Sequence, residues 1–267
     1  MPSIRPAAVA GSFYPEDPGS LAAEVSSYLA QAPRTRDGAR APKAIIAPHA
    51  GYMYSGPIAA SIYARLAPLR GTVRRVVLAG PAHRVPVAGA AIPSVEAFGS
   101  PLGDVPLDIA ALERLRELPF VEVNDRAHAQ EHSLEVHLPF LQSVLGSFDL
   151  VPIVVGDASP AQMGQILEML WGGAETLIVV SSDLSHYLPY RSARGRDTQT
   201  AESIANFEAV IVPEEACGAA PINGLLRIAR ARGLTSEIVD VRNSGDTAGG
   251  LDRVVGYGAF AFTERDA

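Results

Sequence analysis

Three segments that run from nearly all-apolar stretches into polar, titratable residues constrain the fold most. They are KAIIAPH (Lys43 to His49), RRVVLAGPAH (Arg74 to His83) and TLIVVSSDLSH (Thr176 to His186). Strands that are apolar on both faces must be covered on both faces, which is typical of a sheet buried between helices. Helical patterns alternate with these strands along the chain, and this alternation favours the α/β class.

The sequence therefore predicts a three-layer α/β/α fold with a central mixed sheet. No stretch has the length and composition of an interdomain linker, and no repeat of fixed period is present, so residues 1–267 are predicted to form a single domain. The central strands are predicted at residues 43–48, 74–80, 149–155 and 176–182.

Composition excludes several classes of function. The formal net charge of −7 is the wrong sign for a DNA-binding surface. The single cysteine, Cys217, cannot form an internal disulfide, so nothing indicates an oxidising compartment. The N-terminus lacks the apolar core of a signal peptide, and the longest apolar runs are too short to cross a membrane. We expect a soluble, cytoplasmic protein that binds neither DNA nor membranes.

His49 and His83 occupy equivalent places, each at the carboxyl end of a predicted buried strand. Ligands of open α/β sheets bind just outside these strand ends. Imidazole is a common ligand of zinc, iron and copper, so the pair predicts half of a metal site. The alternative for either residue alone is a structural histidine bonded to loop backbone.

Asp183 and His186, in SSDLSHY, form a candidate acid/base pair. On a straight strand two residues three apart point to opposite faces, so both serve one site only if the strand ends near Asp183. The alternative is a cap by Asp183 beside a passive His186.

Cys217 lies in a predicted loop just ahead of a helix, in EEACGAAPINGLL. A nearby helix N-terminus lowers the pKa of a thiol and favours the thiolate that metals bind. The alternative is that Cys217 is a small buried apolar residue.

The segment RAHAQEHSLEVHLPF carries three more histidines and predicts a helix from Glu131 to Leu145. His132 and His137 are five apart, about 140° around a helix, so they cannot clamp one ion as zinc proteases do. His132 and Glu135 share a face, and we expect them to orient metal ligands from outside. An amphipathic helix that only packs its leucines is the alternative.

Six motifs in order give the chain a resemblance to a known family. AGSFYP (Ala10 to Pro15), APHAGYMYSG, GPAH, EHSLEVHLPF, VVSSDLSHY and the segment from Cys217 to Asn223 resemble the successive motifs of the Memo family, the B component of AmmeMemoRadiSam systems. The resemblance runs from near Arg5 to near Phe262. This family is similar in fold to class III (LigB-type) extradiol dioxygenases, which are non-haem iron enzymes.

The resemblance implies a transition metal held by His49, His83 and Cys217, with Asp183 and His186 as catalytic residues in the same pocket. It also implies substrate-binding walls from Phe13, Tyr14 and Tyr54. Fe(II) is favoured, with copper or zinc as alternatives. Two departures stand out: Phe13 replaces an aromatic that is often Trp in animal members, and Cys217 replaces a carboxylate ligand of the dioxygenases.

Three classes of function follow. The first is a metal-dependent oxidoreductase acting on a small molecule or a modified macromolecule, with the radical SAM and AMMECR1-like proteins of the same system as partners. The second is an inactive binding or scaffold protein that uses the same pocket, and the third is a metal-dependent hydrolase. No G-x-x-x-x-G-K-[ST] or G-x-S-x-G motif is present, which counts against nucleotide binding and serine hydrolysis.

Overall fold

The computed structural model describes residues 3–34 and 40–265, and its largest feature is a nine-stranded sheet. A separate three-stranded sheet contains β1, β5 and β6 of the series below. The strands are β1 (Ile4–Arg5), β2 (Ala44–Ala47), β3 (Arg75–Pro81), β4 (Ala90–Ile92), β5 (Ala97–Phe98), β6 (Val105–Pro106), β7 (Val121–Val123), β8 (Asp149–Val155), β9 (Thr176–Ser181), β10 (Asp183–Leu188), β11 (Thr235–Asn243) and β12 (Val254–Thr263).

Helices connect most of these strands. The α-helices are α1 (Pro18–Gln31), α2 (Tyr52–Tyr63), α3 (Ile109–Leu115), α4 (Asp125–Ala129), α5 (Leu138–Leu145), α6 (Pro160–Leu170), α7 (Tyr190–Ala205) and α8 (Ala219–Ala231). Short 3₁₀ helices lie at Ala64–Leu69, Glu135–His137 and Ser244–Asp246. No helix in the described part of the chain has the length and apolar character needed to span a membrane.

The large sheet is mixed, with a parallel centre. Its order is β10-β12-β2-β9-β3-β8-β4-β7, with β11 paired to β12. The four neighbours β2, β9, β3 and β8 run parallel, while β12 is antiparallel to β2 and β4 is antiparallel to β8. These four strands are the ones the sequence predicted as central, and that prediction is confirmed.

Burial explains why these strands are almost wholly apolar. Every residue of β2 and β9 is buried, and β3 and β8 are buried beyond their first residue. Helices flank the sheet: α6 and α8 pack together with α8 over β3 and β9, while α1, α2 and α5 contact one another with α2 over β2 and β12. The predicted α/β/α arrangement with a mixed central sheet is confirmed.

The strand order determines where the site forms. Because β9 lies between β2 and β3 and all three are parallel, their carboxyl ends meet at one edge of the sheet. His49 follows β2, His83 follows β3, and Asp183 follows β9. Residues separated by more than a hundred positions in sequence are therefore neighbours in space.

One local prediction was wrong. The segment from Glu131 to Leu134 is not helical, and helix α5 begins only at Leu138, after a 3₁₀ turn. The predicted strand end near Asp183 is present, because β9 ends at Ser181, and Asp183 and His186 both belong to the next strand, β10. β10 contains a bulge: Asp183 pairs with Tyr257 and His186 with Val255, so three steps on β10 match two on β12. The extra residue shifts the alternation of side chains and lets both residues face one side.

Candidate metal site

Three histidines from three parts of the chain converge at this edge of the sheet. One ring nitrogen each from His49, His83 and His132 lies within 4.8 Å of the other two. The ring centroids are 5.1 Å apart for His49 and His83, 5.5 Å for His49 and His132, and 4.6 Å for His83 and His132. The arrangement can hold a metal ion.

A hydrogen-bond chain fixes the tautomer of His49. The Ser181 hydroxyl donates its only proton to the Ser133 carbonyl, at 2.6 Å. The same hydroxyl lies 2.6 Å from Nδ1 of His49, so that nitrogen must donate. Nε2 of His49 therefore carries the lone pair, with the Cys217 sulfur 3.4 Å away. Burial, with smaller contributions from the neighbouring histidines, holds the His49 pKa well below its ordinary value. His49 is neutral at pH 7, as a metal ligand requires.

Glu131 fixes His83 in the same way. One carboxylate oxygen of Glu131 accepts the His83 backbone N–H at 2.6 Å, and the other lies 2.9 Å from Nδ1 of His83 and accepts the backbone N–H of Ser133 at 2.9 Å. Burial raises the pKa of Glu131, but the hydrogen bonds from His83 and Ser133, together with the positive charge of His83 when that ring is protonated, outweigh burial and lower the pKa to about 2. An ionised acceptor at Nδ1 leaves Nε2 of His83 free to bind a cation.

His132 completes the group, although the sequence predicted an outer role for it. Its Nδ1 is 3.4 Å from Glu131 and has no hydrogen-bond partner among the residues described. Burial lowers the pKa of His132 to about 4, so the ring is neutral at pH 7. The ring is half-buried, but its Nδ1 is buried and unsatisfied beside the two other imidazoles, and a buried nitrogen without a partner fits a site that binds a cation.

Cys217 lies beside this group but outside it. Its sulfur is 3.4 Å from Nε2 of His49 and accepts the backbone N–H of Asp183 at 3.3 Å. Burial, followed by the charge of Asp183, raises the pKa of the Cys217 thiol to about 12. The predicted lowering of the thiol pKa by a helix N-terminus is thus outweighed by burial, although helix α8 does begin two residues after Cys217. Without a cation the thiol is neutral.

Gly218 allows this close approach. A methyl group on Gly218 would lie 2.5 Å from the Ser181 carbonyl oxygen and 2.7 Å from Cβ of Ser182. The Gly218 backbone N–H also donates to the Ser182 hydroxyl at 2.9 Å. The residue after the cysteine must therefore be glycine for the sulfur to reach the end of β9.

Asp183 and His186 line the same open pocket as the histidines, which has a volume of about 620 Å³. One Asp183 oxygen accepts the His49 backbone N–H at 2.8 Å, and the other is 4.0 Å from Nε2 of His49. Burial raises the pKa of Asp183 to about 7, which the bond from His49 only partly offsets. Burial also lowers the pKa of His186. Asp183 can therefore change protonation state near neutral pH, whereas His186 is neutral there.

The predicted aromatic walls divide into two kinds. Phe13 and Tyr54 line the pocket, and the Phe13 ring centroid lies 4.7 Å from that of His132. Tyr14 does not line it. That residue is 4% exposed, and its hydroxyl donates to Glu135 at 2.6 Å, because the chain turns Tyr14 into the core.

Glu135 anchors the N-terminal segment and bonds to none of the three histidines of the site. It is fully buried, and its carboxylate accepts from Arg5 at 2.6 Å, from the backbone N–H groups of Ala8 and Val9 at 2.8 and 2.9 Å, and from Tyr14. These bonds hold the segment that carries Phe13 against His132. Its effect on the histidines is therefore indirect.

Two residues that orient the ligands were not predicted in those roles. Ser181 holds His49, and Glu131 holds His83. Ser181 stands in an apolar strand and gave no signal beyond its place at the strand end. Glu131 was predicted only as the first residue of a helix, and that prediction concealed the irregular segment that aims its carboxylate at His83.

The family model for Memo-like protein matches residues 5–261. Curated relatives described as MEMO1 family proteins include those of Aquifex aeolicus (35% identical, covering 95% of this chain and 97% of the relative), Aeropyrum pernix (36%, covering 96% and 98%) and Sulfolobus acidocaldarius (33%, covering 95% and 97%). An uncharacterized protein from Escherichia coli K12 of known structure aligns with 82% of this chain and 99% of its own at 17% identity and a TM-score of 0.47. With nearly its whole length matched, this chain belongs to the Memo family.

Proposed function

We propose that this protein binds one transition metal ion through His49, His83 and His132 and is a metal-dependent oxidoreductase of small organic molecules or modified macromolecules. The observation that carries the proposal is the convergence of three ring nitrogens within 4.8 Å. Two of these imidazoles are fixed by hydrogen bonds at Nδ1, which leaves the lone pair on Nε2. His49 is buried, His132 is half-buried and His83 faces the open pocket, so a cation bound between them would be reached from the pocket side.

Cys217 remains a proposed thiolate donor next to this group. Its sulfur, 3.4 Å from Nε2 of His49, is close enough to compete with His132 for the third position or to add a fourth donor. A cation would also reverse the effect of burial on the thiol, because a coordinated thiol loses its proton. Substitution of His132 and of Cys217 one at a time distinguishes these arrangements.

The metal, when bound, would supply an open coordination position and redox chemistry. Imidazole suits iron, copper and zinc alike, so the histidines alone do not select among them. We favour Fe(II), which the family resemblance implies, with copper next because thiolate softens the site. Zinc remains the third choice.

The protein's own groups would move protons at the substrate. His186, neutral at pH 7, is the proposed acceptor of a substrate proton, and both it and Asp183 line the pocket. Asp183, with a pKa of about 7, can act as either donor or acceptor. Phe13 and Tyr54 would form the apolar walls against which an organic substrate packs.

An anaerobic metal titration followed by exposure to oxygen tests this proposal. The purified, chelator-treated protein is titrated with Fe(II), Cu(II) and Zn(II), and bound metal is counted. One ion per chain, with a spectral change or oxygen uptake coupled to loss of a candidate substrate, is the expected result. Failure of all three metals to bind would leave the pocket as a binding site without metal chemistry, which is the scaffold alternative.

One observation favours a second candidate, a metal-dependent hydrolase. Three histidines without a carboxylate ligand are the donor set with which zinc enzymes lower the pKa of a bound water to about 7. If only Zn(II) binds tightly and oxygen has no effect, this hydrolytic function is the better one. For either chemistry, the proposed partners are the radical SAM and AMMECR1-like proteins of the same system.

A further inference from the structure

Two arginines at the rim of the pocket have no role in the chemistry described above. Arg84 directly follows His83, and Arg253 lies just before β12; both line the pocket. Neither forms an ion pair with any residue in the ranges 3–34 and 40–265. Several other arginines of this chain are paired, for example Arg5 with Glu135 and Arg75 with Asp108.

Arg253 stacks on Tyr187, a residue whose backbone conformation is unusual. Its guanidinium carbon lies 5.1 Å from the ring centroid of Tyr187, a contact that leaves the N–H groups at the edge of the guanidinium free to donate. Tyr187 has a positive φ of 58° and is 62% exposed. A bulky residue rarely adopts this conformation, and such residues cluster at ligand sites. Tyr187 directly follows His186, so the stack stands at the acid/base side of the pocket.

The charges that face the pocket are therefore unbalanced. Among the described residues, the other charged side chain that lines it, apart from histidine, is Asp183. Asp183 is 4% exposed, and one of its oxygens is taken by the His49 N–H. The chain as a whole carries a net charge of −7, so a pocket with two exposed guanidinium groups is a local exception. A guanidinium without a protein partner is a ready receptor for carboxylate or phosphate oxygens.

We propose that Arg84 and Arg253 bind an anionic oxyacid group, a carboxylate or a phosphate, on the substrate of this pocket. Arg84 stands beside the histidines and Arg253 beside His186, so an anion held between them directs the rest of the molecule toward both. The aromatic rings of Phe13 and Tyr54, which line the same pocket and are half-buried, provide the apolar surface for that remainder. This inference deepens the proposed function by naming a substrate class, and it shares that function's pocket.

The test uses small probes and the full-length protein without metal. Benzoate and benzamide have the same shape but differ in charge, and inorganic phosphate supplies the other anion. Binding is followed by calorimetry and by ligand-observed NMR for the wild type, Arg84→Gln, Arg253→Gln and the double variant. Arg194→Gln is the matched control, because Arg194 also stacks on a tyrosine, 5.8 Å from the ring of Tyr190, but does not line the pocket.

We expect benzoate or phosphate to bind at least about ten-fold more tightly than benzamide, and each pocket variant to weaken the anion about ten-fold, as loss of a charge-assisted bond does. The Arg194→Gln variant should match the wild type. The tighter of the two anions identifies the substrate group. Equal binding of benzamide, unchanged binding in the double variant, or no binding of either anion up to about 20 mM overturns the inference.

Repeating the titration after adding Zn(II) or Fe(II) separates this inference from the metal proposal. If no metal binds but anion binding still depends on the arginines, only the metal proposal fails. If metal binds to all variants and the arginine variants bind the anion as tightly as the wild type, only the anion inference fails. Both rim arginines are exposed, so their replacement should leave the thermal unfolding midpoint unchanged, which verifies folding.

Discussion

Glu131→Gln should damage metal binding and stability together, because Glu131 accepts hydrogen bonds through both carboxylate oxygens. The residue is 2% exposed and accepts from the backbone and ring of His83 and from the Ser133 backbone. Burial by itself raises the pKa of Glu131, but these contacts lower that pKa from an ordinary 4.5 to about 2. That difference corresponds to about 3 kcal/mol in favour of the folded, ionised form.

A glutamine cannot reproduce this pattern. Whichever way the amide is turned, its NH₂ group faces a donor: the His83 backbone N–H in one orientation, or the His83 Nδ1–H and Ser133 N–H in the other. In the second orientation, the His83 ring can relieve the conflict by moving its proton to Nε2, which removes the lone pair offered to the metal. We expect the free energy of unfolding to fall by about 3 kcal/mol at pH 7. Metal affinity should fall about 10–100-fold.

The pH dependence gives this prediction a signature. Because the folded-state pKa of Glu131 is depressed, its contribution is fully present above about pH 4.5 and disappears as the pH falls towards 2. The difference between wild type and Glu131→Gln in urea unfolding should therefore narrow between pH 4.5 and 2. Glu113→Gln, which removes an exposed ion pair with Arg116, is the control and should change stability by less than about 1 kcal/mol. Wild-type Zn(II) affinity and stability in Glu131→Gln would refute the assigned role.

Three further changes give distinct outcomes. Glu135→Gln leaves the buried Arg5 without its negatively charged partner, so calorimetry should show a stability loss of about 3 kcal/mol. This variant should lower metal affinity less than Glu131→Gln does. A larger loss of metal affinity in Glu135→Gln than in Glu131→Gln would contradict the anchor role. Gly218→Ala forces the Cys217 loop away from β9 and should destabilise the protein by about 1–3 kcal/mol in urea. Gly195→Ala is the matched control, because a methyl group there, on helix α7, meets nothing within 4 Å and should not destabilise the protein. His186→Ala should keep its metal content, measured by elemental analysis, while abolishing turnover; loss of the metal would make His186 a ligand.

The centre of the fold was predictable because it follows from one physical requirement. Strands such as β2 and β9, apolar on both faces, have no stable place except inside a sheet covered by helices. Parallel pairing then brings their carboxyl ends together, so His49 and His83 could be recognised from their positions at strand ends. The structure has both residues in one cluster.

The parts that were not predicted depend on irregular backbone. The pattern around His132 suggested a regular helix, in which His132 and His137 are too far apart in angle to share an ion. The chain is instead irregular from Glu131 to Leu134, with a turn at Ser133 and Leu134, and this path brings His132 and Glu131 to His49 and His83. A turn held by tertiary hydrogen bonds, such as Ser133 to the Pro81 carbonyl at 2.9 Å, leaves no local signal. The bulge in β10 is equally invisible, since pairing with β12 produces it.

The most direct test of the central claim is a count of bound metal and its affinity in the wild type and in His49→Ala, His83→Ala, His132→Ala and Cys217→Ser. The account predicts one ion per wild-type chain and a loss of affinity of at least about 100-fold in each histidine variant, because each removes a ligand. Cys217→Ser should weaken binding less than His132→Ala, since its sulfur lies outside the group of three nitrogens. Wild-type affinity in His132→Ala, with metal lost from Cys217→Ser, would contradict the three-histidine site.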